Sequence, residues 1–213
     1  MHSTKPDQII RRRGRPSKAA MGYSETREAL LQAGVEALTE KGFSATGIEE
    51  ILSKVSVPKG SFYNFFESKE GFGLMLVERY ADYFARKLDR FLLNEQQSPL
   101  LRLQSFVADA RNGMKRHKYR RGCLVGNLGQ EMGALPISFR KKLTEVFEDW
   151  QGRVAACLEL AKNQGEIARD ADCAILAACF WIGWEGAVLR AKLEVSPTPL
   201  DIFAEFFFTG LPR

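Results

Sequence analysis

TREALLQAGVEALTEKGFSATGIEEILSKVSVPKGSFYNFFESKEGF, residues 26–72, carries a run of short helical patterns punctuated by glycine, proline and serine. Ser24 precedes it as an expected N-cap, with Glu25 in the first turn, for a helix whose apolar positions Leu30, Ala33, Ala37 and Leu38 recur at helical spacing. Lys41 and Gly42 end that helix, a cation followed by a residue that tolerates left-handed dihedrals. Thr46 to Glu49 has the capping-box spacing that opens a second helix in IEEILSKV. Pro58 is suited to open a third, KGSFYNFF, because a first helical position needs no amide. Two short helices across a tight turn make a helix-turn-helix. The later one has the chemistry of a DNA-reading element. Lys59, Ser61, Tyr63 and Asn64 offer donors and hydroxyls, Gly60 lets the backbone approach a phosphate, and Phe62 with Phe65 or Phe66 anchors it inward. Ser68-Lys69-Glu70 then caps a fourth helix, whose free amides together with Lys69 form a phosphate clamp.

Upstream, charge is concentrated. The net charge of +5 is carried by the first 23 residues, where Lys5, Arg11, Arg12, Arg13, Arg15 and Lys18 face Asp7 alone; the rest of the chain is balanced. Within RRRGRPSK, the Arg13-Gly14-Arg15-Pro16 core is extended and helix-averse, like an AT-hook, so Arg13 and Arg15 suit a narrow A·T-rich minor groove. The alternative is a solvated, disordered basic tail. Position in front of a DNA-reading module favours the first reading.

With these motifs in order, residues 26–72 resemble the N-terminal domain of TetR-type transcriptional regulators, in the KGF turn, the VPKGSFYNF segment and the SKE helix start. The resemblance implies that Thr46 and Lys69 hold phosphates while Lys59, Ser61, Tyr63 and Asn64 face DNA. Members of the family often have histidine where Asn64 stands. Asparagine either pairs bidentately with adenine or touches a phosphate, and the sequence leaves that choice open.

The remaining chain is helical in period. Leu76, Tyr80, Phe84, Leu88 and Phe91 form a stripe; Pro99 opens a helix to about Lys118, Pro136 one from Ile137 to Gln164, and further helices follow over 171–194 and 200–208. The expectation is an all-α protein in three parts: a basic, disordered arm over 1–23, a three-helix helix-turn-helix domain over 24–70, and a larger helical effector-binding and dimerisation domain over 71–213. Phe180, Trp181, Trp184 and Val188, with Phe203, Phe206, Phe207 and Phe208, exceed what one helical layer hides, and a homodimer pairing the last two helices would bury them. Two recognition elements one DNA turn apart also call for a dimer. The apolar run Ala174–Trp184 is shorter than a membrane span, and the basic N-terminus lacks the apolar core of a secretory signal. Four scattered cysteines and two histidines give no metal-binding spacing, so neither a metal nor another cofactor is expected and the cytoplasm is the expected compartment.

RRGCLVGNLGQEMGAL, residues 120–135, is the second informative stretch. Cys123 has three readings: a nucleophile with His117, a thiol activated by Arg120 and Arg121, or a small buried hydrophobe. Its glycines remove side-chain volume, for a pocket or for close helix crossing, while Asn127 and Gln130 add polar handles. Arg121 suits a carboxylate, and Trp181, Trp184, Tyr80 or Tyr83 suit pocket walls. Glu185, in an apolar helix, needs a partner if buried, and Arg120, Arg121 or Arg190 are candidates. This stretch and FWIGWEGAVLRAKLE are similar to the acrylate-responsive repressors within the TetR-type family. That similarity implies a non-enzymatic repressor released from double-stranded operator DNA by acrylate or a related carboxylate. Its effector site would use Arg121, Cys123, Asn127, Trp181, Trp184 and Glu185. The alternative effectors are electrophiles or oxidants sensed at Cys123; a cysteine-dependent enzyme and a sequence-indifferent architectural DNA binder are the rival classes.

Overall fold

The computed structural model describes residues 18–213, and Arg13 and Arg15 lie outside the described residues. Eight α-helices and one 3₁₀ turn account for its regular structure, with no strand among the described residues. The helices are α1 (Lys18–Lys41), α2 (Ile48–Lys54), α3 (Lys69–Leu92), α4 (Pro99–Arg116), α5 (Leu124–Gln130), α6 (Ile137–Asn163), α7 (Cys173–Glu194) and α8 (Thr198–Thr209). The 3₁₀ turn, Lys59–Asn64, lies between α2 and α3.

The N-terminal helices close on Leu30, Leu38, Ile51, Leu52, Phe62, Phe66 and Phe72, all buried. Helix α1 begins six residues before Ser24, so Ser24 is not its cap and residues 18–23 belong to a helix rather than to the expected arm. Tertiary contact explains the extension: Tyr23 stacks on Phe65 at 4.8 Å and its hydroxyl donates to the Asn64 carbonyl at 2.9 Å. The capping box before α2 does not form. Gly47 is the N-cap, and the buried Thr46 hydroxyl donates back to the Gly42 carbonyl at 2.6 Å instead. Ser68 does cap α3, accepting from the Gly71 amide at 2.9 Å.

KGSFYN is tighter than the expected α-helix. Pro58 sits just outside it as the N-cap, and i→i+3 bonds run from Ser61 N to Pro58 O and from Phe65 N to Phe62 O. Six residues containing a glycine are too few for α-helical cooperativity, and Phe62 and Phe66 hold the turn by burial instead.

Helix α3 runs from the N-terminal helices into the larger helical layer, where it packs on α4 and α6. There Trp150 lies 4.5 Å from Phe84 and 5.0 Å from Trp181, ring centre to ring centre, and Phe106 closes the same cluster. Helix α7 as a whole is long and apolar enough to cross a membrane by length and composition, which the shorter run Ala174–Trp184 did not suggest. Within this fold it packs against α6 and α8 and buries Ala177, Phe180, Trp181 and Trp184. Those aromatics, with Phe207, are therefore internal, contrary to the expectation that they face a partner. The apolar face left uncovered is mainly aliphatic: Ile175, Ile182, Leu189 and Leu193 on α7, Ile202 and Phe206 on α8.

Candidate functional site

Two regions carry chemistry. The first is the outer face of the 3₁₀ turn. Tyr63 is 68% exposed, Asn64 and Gly60 are exposed, and Ser61 is half-buried. Nothing lies within 4 Å of a Cβ added at Gly60, so internal packing makes no demand for glycine there. Lys59 pairs with Glu49 at 2.6 Å, both side chains well exposed, a contact worth little in water. Lys69 donates to the Phe43 carbonyl at 3.2 Å and lies 4.6 Å above the Phe43 ring. Thr46 is only 1% exposed and its hydroxyl is engaged inside the turn, which removes it from reach of a phosphate.

The second region is a cavity of about 500 Å3 between α1, α3, α4 and α7. Of the residues expected there, Arg121, Cys123, Trp184 and Glu185 line it, as do Tyr80, Tyr83 and His117. Trp181 and Asn127 do not. Trp181 is 1% exposed in the aromatic cluster. Asn127 instead donates to the carbonyls of Leu38 and Thr39, both at 2.9 Å, and accepts from Lys192 at 3.2 Å. Lys192 also reaches the carbonyls of Thr39 and Glu40, so α5 and α7 together hold the C-terminal end of α1.

Helix α5 was not anticipated, and it joins the two regions. Cys123 caps its start, accepting from the Gly126 amide at 3.4 Å. Glu131 at its end accepts from the backbone amides of Phe43 and Ser44, at 3.0 and 2.8 Å, in the turn that leads to α2. A Cβ on Gly42, whose φ is +82, would lie 1.6 Å from Glu131 Oε1, so that turn needs glycine twice over. Nothing in the pattern around Glu131 announces this role, because its partners are main-chain groups 88 and 87 residues away.

The electrostatics of the cavity overturn two expectations. Arg120 pairs with Glu40 at 2.8 Å and Arg121 with Glu36 at 3.1 Å, so neither activates Cys123. Burial first, and then the neighbouring Glu185, push the Cys123 thiol well above its ordinary range. No hydrogen bond joins Cys123 to His117 among the described residues, so the pair a cysteine nucleophile needs is not assembled. Glu185 finds none of its expected arginines; Arg190 pairs with Glu194. Its Oε1 is shielded from solvent without a hydrogen-bond partner, and burial raises the carboxyl to about 7. Among the described residues no cluster of His, Cys, Asp or Glu could hold a metal ion.

Residues 30–73 match the family described as bacterial regulatory proteins, tetR family, and residues 99–207 match the Tetracyclin repressor-like, C-terminal domain. The chain belongs to the TetR family. It is 54% identical over 196 residues to the transcriptional regulator AcuR of Cereibacter sphaeroides, an alignment covering 92% of this chain and 89% of that one. The transcriptional repressor DhaR of a Mycobacterium species is 32% identical, with 90% of this chain and 94% of DhaR covered. A crystal structure of a TetR regulatory protein from Rhodobacter sphaeroides superposes with a TM-score of 0.85 at 53% identity, covering 87% of this chain and 98% of that one. As a TetR-family member the protein is a transcriptional regulator that binds operator DNA and responds to a small molecule.

In this TetR-family chain, Lys59→Ala and Tyr63→Ala are each expected to weaken operator binding by about tenfold or more, the scale of losing one phosphate or base-edge contact. Folding stability should stay within about 0.5 kcal/mol, since both side chains are exposed. Gel-shift titration beside thermal melting checks this; unchanged affinity in both variants would remove this face from the interface.

Proposed function

We propose that this protein is a cytoplasmic, homodimeric repressor released from its operator by acrylate or a closely related small carboxylate. The observation that carries the reading is the cavity: Arg121 stands in its wall, and α5, which begins at the same wall, ends on the turn that leads to α2. The 54% identity to AcuR points to the same effector class through the acrylate-responsive repressors that the sequence resembles. In this reading residues 24–70 bind DNA through Lys59, Gly60, Ser61, Tyr63, Asn64 and Lys69, residues 71–213 bind the effector and form the dimer, and Arg13 and Arg15 enter the minor groove. The aliphatic face of α7 and α8 pairs with its copy, which supplies the second recognition element.

Acrylate fills a small part of a cavity of about 500 Å3, so the ligand gains most by drawing the walls together. One wall carries Cys123 and the start of α5. Closure that moves α5 moves Glu131, and with it the turn that aims the recognition element. The effector shifts the population only by its differential affinity for the two arrangements. The thiol-sensor alternative has less support, because burial and Glu185 hold Cys123 as a neutral thiol.

The test is a gel-shift titration of wild type, Cys123→Ser and Arg121→Ala with acrylate, propionate and N-ethylmaleimide. Both carboxylates should release wild type and Cys123→Ser alike, and Arg121→Ala should need about tenfold more, the cost of one charge-assisted contact. If only N-ethylmaleimide releases DNA and Cys123→Ser is blind to it, the effector is an electrophile. An Arg121→Ala response equal to wild type defeats the arginine clamp.

A further inference from the structure

Among the described residues Glu185 is an acid without a counter-ion. It lines the cavity beside Tyr80, Cys123 and Trp184. A Cβ on Gly126 would lie 2.0 Å from its Oε2, so the carboxyl seats against bare backbone that only glycine leaves free. The charged and titratable groups around it come from every packed element, and none neutralises it. Helix α3 presents Tyr80 and Tyr83, with Arg79, Arg86 and Lys87 also in the cavity lining, α1 presents Glu36, and Arg116 and His117 close the end of α4; no ion pair joins any of these cations to Glu185 among the described residues. Arg121 pairs with Glu36 rather than with Glu185 while still standing in the wall, Arg79 and Lys87 pair with Glu28 and Asp109, and Lys192 is engaged with the Thr39 and Glu40 carbonyls and Asn127. The Cys123 thiol beside it favours the charged form, but burial outweighs that contact and no cation pairs with the carboxylate, so the carboxyl holds its proton more tightly than an ordinary one.

We propose that Glu185 is the specificity-determining ligand for the effector's carboxylate: it meets the anion as a neutral acid, donates its proton into the shared hydrogen bond, and makes effector capture take up one proton. This rests on the reading of the effector as a small carboxylate. Burial already raises Glu185 to about 7, so a fraction is ionised at neutral pH and must collect a proton from solvent before an anion can sit beside it. Small carboxylic acids titrate near 4 and stay ionised throughout pH 6–9, so the ligand adds no pH dependence of its own there. A neutral-acid site also favours a carboxylate over an ester of the same shape, because the ester lacks the charged acceptor.

The experiment is calorimetric titration of the full chain with propionate, an unreactive probe, from pH 6 to 9 in two buffers of different ionisation enthalpy. Wild type should bind with near-constant Kd below pH about 6.5, weaken toward tenfold per pH unit above pH about 8, and take up close to one proton there. Glu185→Gln should bind with a flat Kd and no proton uptake. His117→Ala guards against the imidazole in the cavity wall as the proton acceptor, and it should keep the wild-type slope. The proton count on wild type and the slope in His117→Ala stand even if Glu185→Gln fails to fold. A pH-independent wild-type Kd overturns proton sharing while leaving the carboxylate reading intact. A slope that survives in Glu185→Gln, or vanishes in His117→Ala, assigns the proton to the imidazole and overturns it as well. Absence of propionate and acrylate binding at every pH overturns both.

Discussion

Glu131→Ala is expected to leave a regulator that still binds effector and still binds operator but needs far more effector to let go of it. Among the described residues the carboxylate is the only side chain that joins the end of α5 to the amides of Phe43 and Ser44. Hydrogen bonds to a charged group contribute roughly 1.5–3 kcal/mol each, less where water can replace the acceptor, as it can at the exposed Ser44. Losing both removes about 2 kcal/mol or more of coupling, which corresponds to at least a tenfold rise in the effector concentration needed for release. The exposed face of Tyr63 and Asn64 is untouched, so operator affinity without effector should change by no more than a few-fold. Calorimetry for effector and gel shift for DNA, run on the same preparation, separate the two. If Glu131→Ala releases at wild-type effector concentration, transmission runs elsewhere, and the continuous helix α3 becomes the leading route.

Trp181→Ala should be the most damaging single substitution in the larger helical layer. The indole is 1% exposed and packs within about 6 Å of Trp150, Phe84 and Phe106, ring centre to ring centre. Emptying such a site costs about 3–5 kcal/mol, which for a chain of this size lowers the melting temperature by roughly 6–20 °C. No hydrogen bond is lost, because the indole N–H has no partner. Trp181→Phe should therefore recover most of the stability and leave effector affinity as it was. A Trp181→Phe variant with normal melting but altered effector affinity would return Trp181 to the cavity wall.

The DNA-reading half was readable because its signals are local. Ser68 caps α3, Phe62 and Phe66 point inward, and Tyr63 and Asn64 point out, all from spacing and residue type. Where the reading failed there, a distant partner had intervened: Tyr23 reaches Phe65 and Asn64 and so carries α1 past the serine that looked like its start. Helix α5 is the opposite case. LVGNLGQ is seven residues with two glycines, below the length at which periodicity speaks, and it is held by Cys123, Asn127 and Glu131 through partners elsewhere in the chain. The apolar character of α7 and α8 was plain, but not which side faces inward, because both faces of α7 are apolar and only packing against α6 tells Trp184 from Ile182. Glu185 was visible as an acid out of place. Its expected partners were Arg120, Arg121 and Arg190, and the fold sends them to Glu40, Glu36 and Glu194.

The Glu131 contact has a consequence for how such regulators diversify. Its carboxylate grips two peptide amides and no side chain of the domain it holds, and Asn127 likewise grips two peptide carbonyls. Grafting another chain's operator-reading segment onto this effector half therefore keeps these two grips wherever the backbone bend and the glycine at position 42 are kept, while Phe43 on Phe139 and the Arg120–Glu40 and Arg121–Glu36 pairs must be matched by side chain. Promoter choice and chemical sensitivity can drift apart over generations where the junction between them reads main chain, and are tied together where it reads side chains.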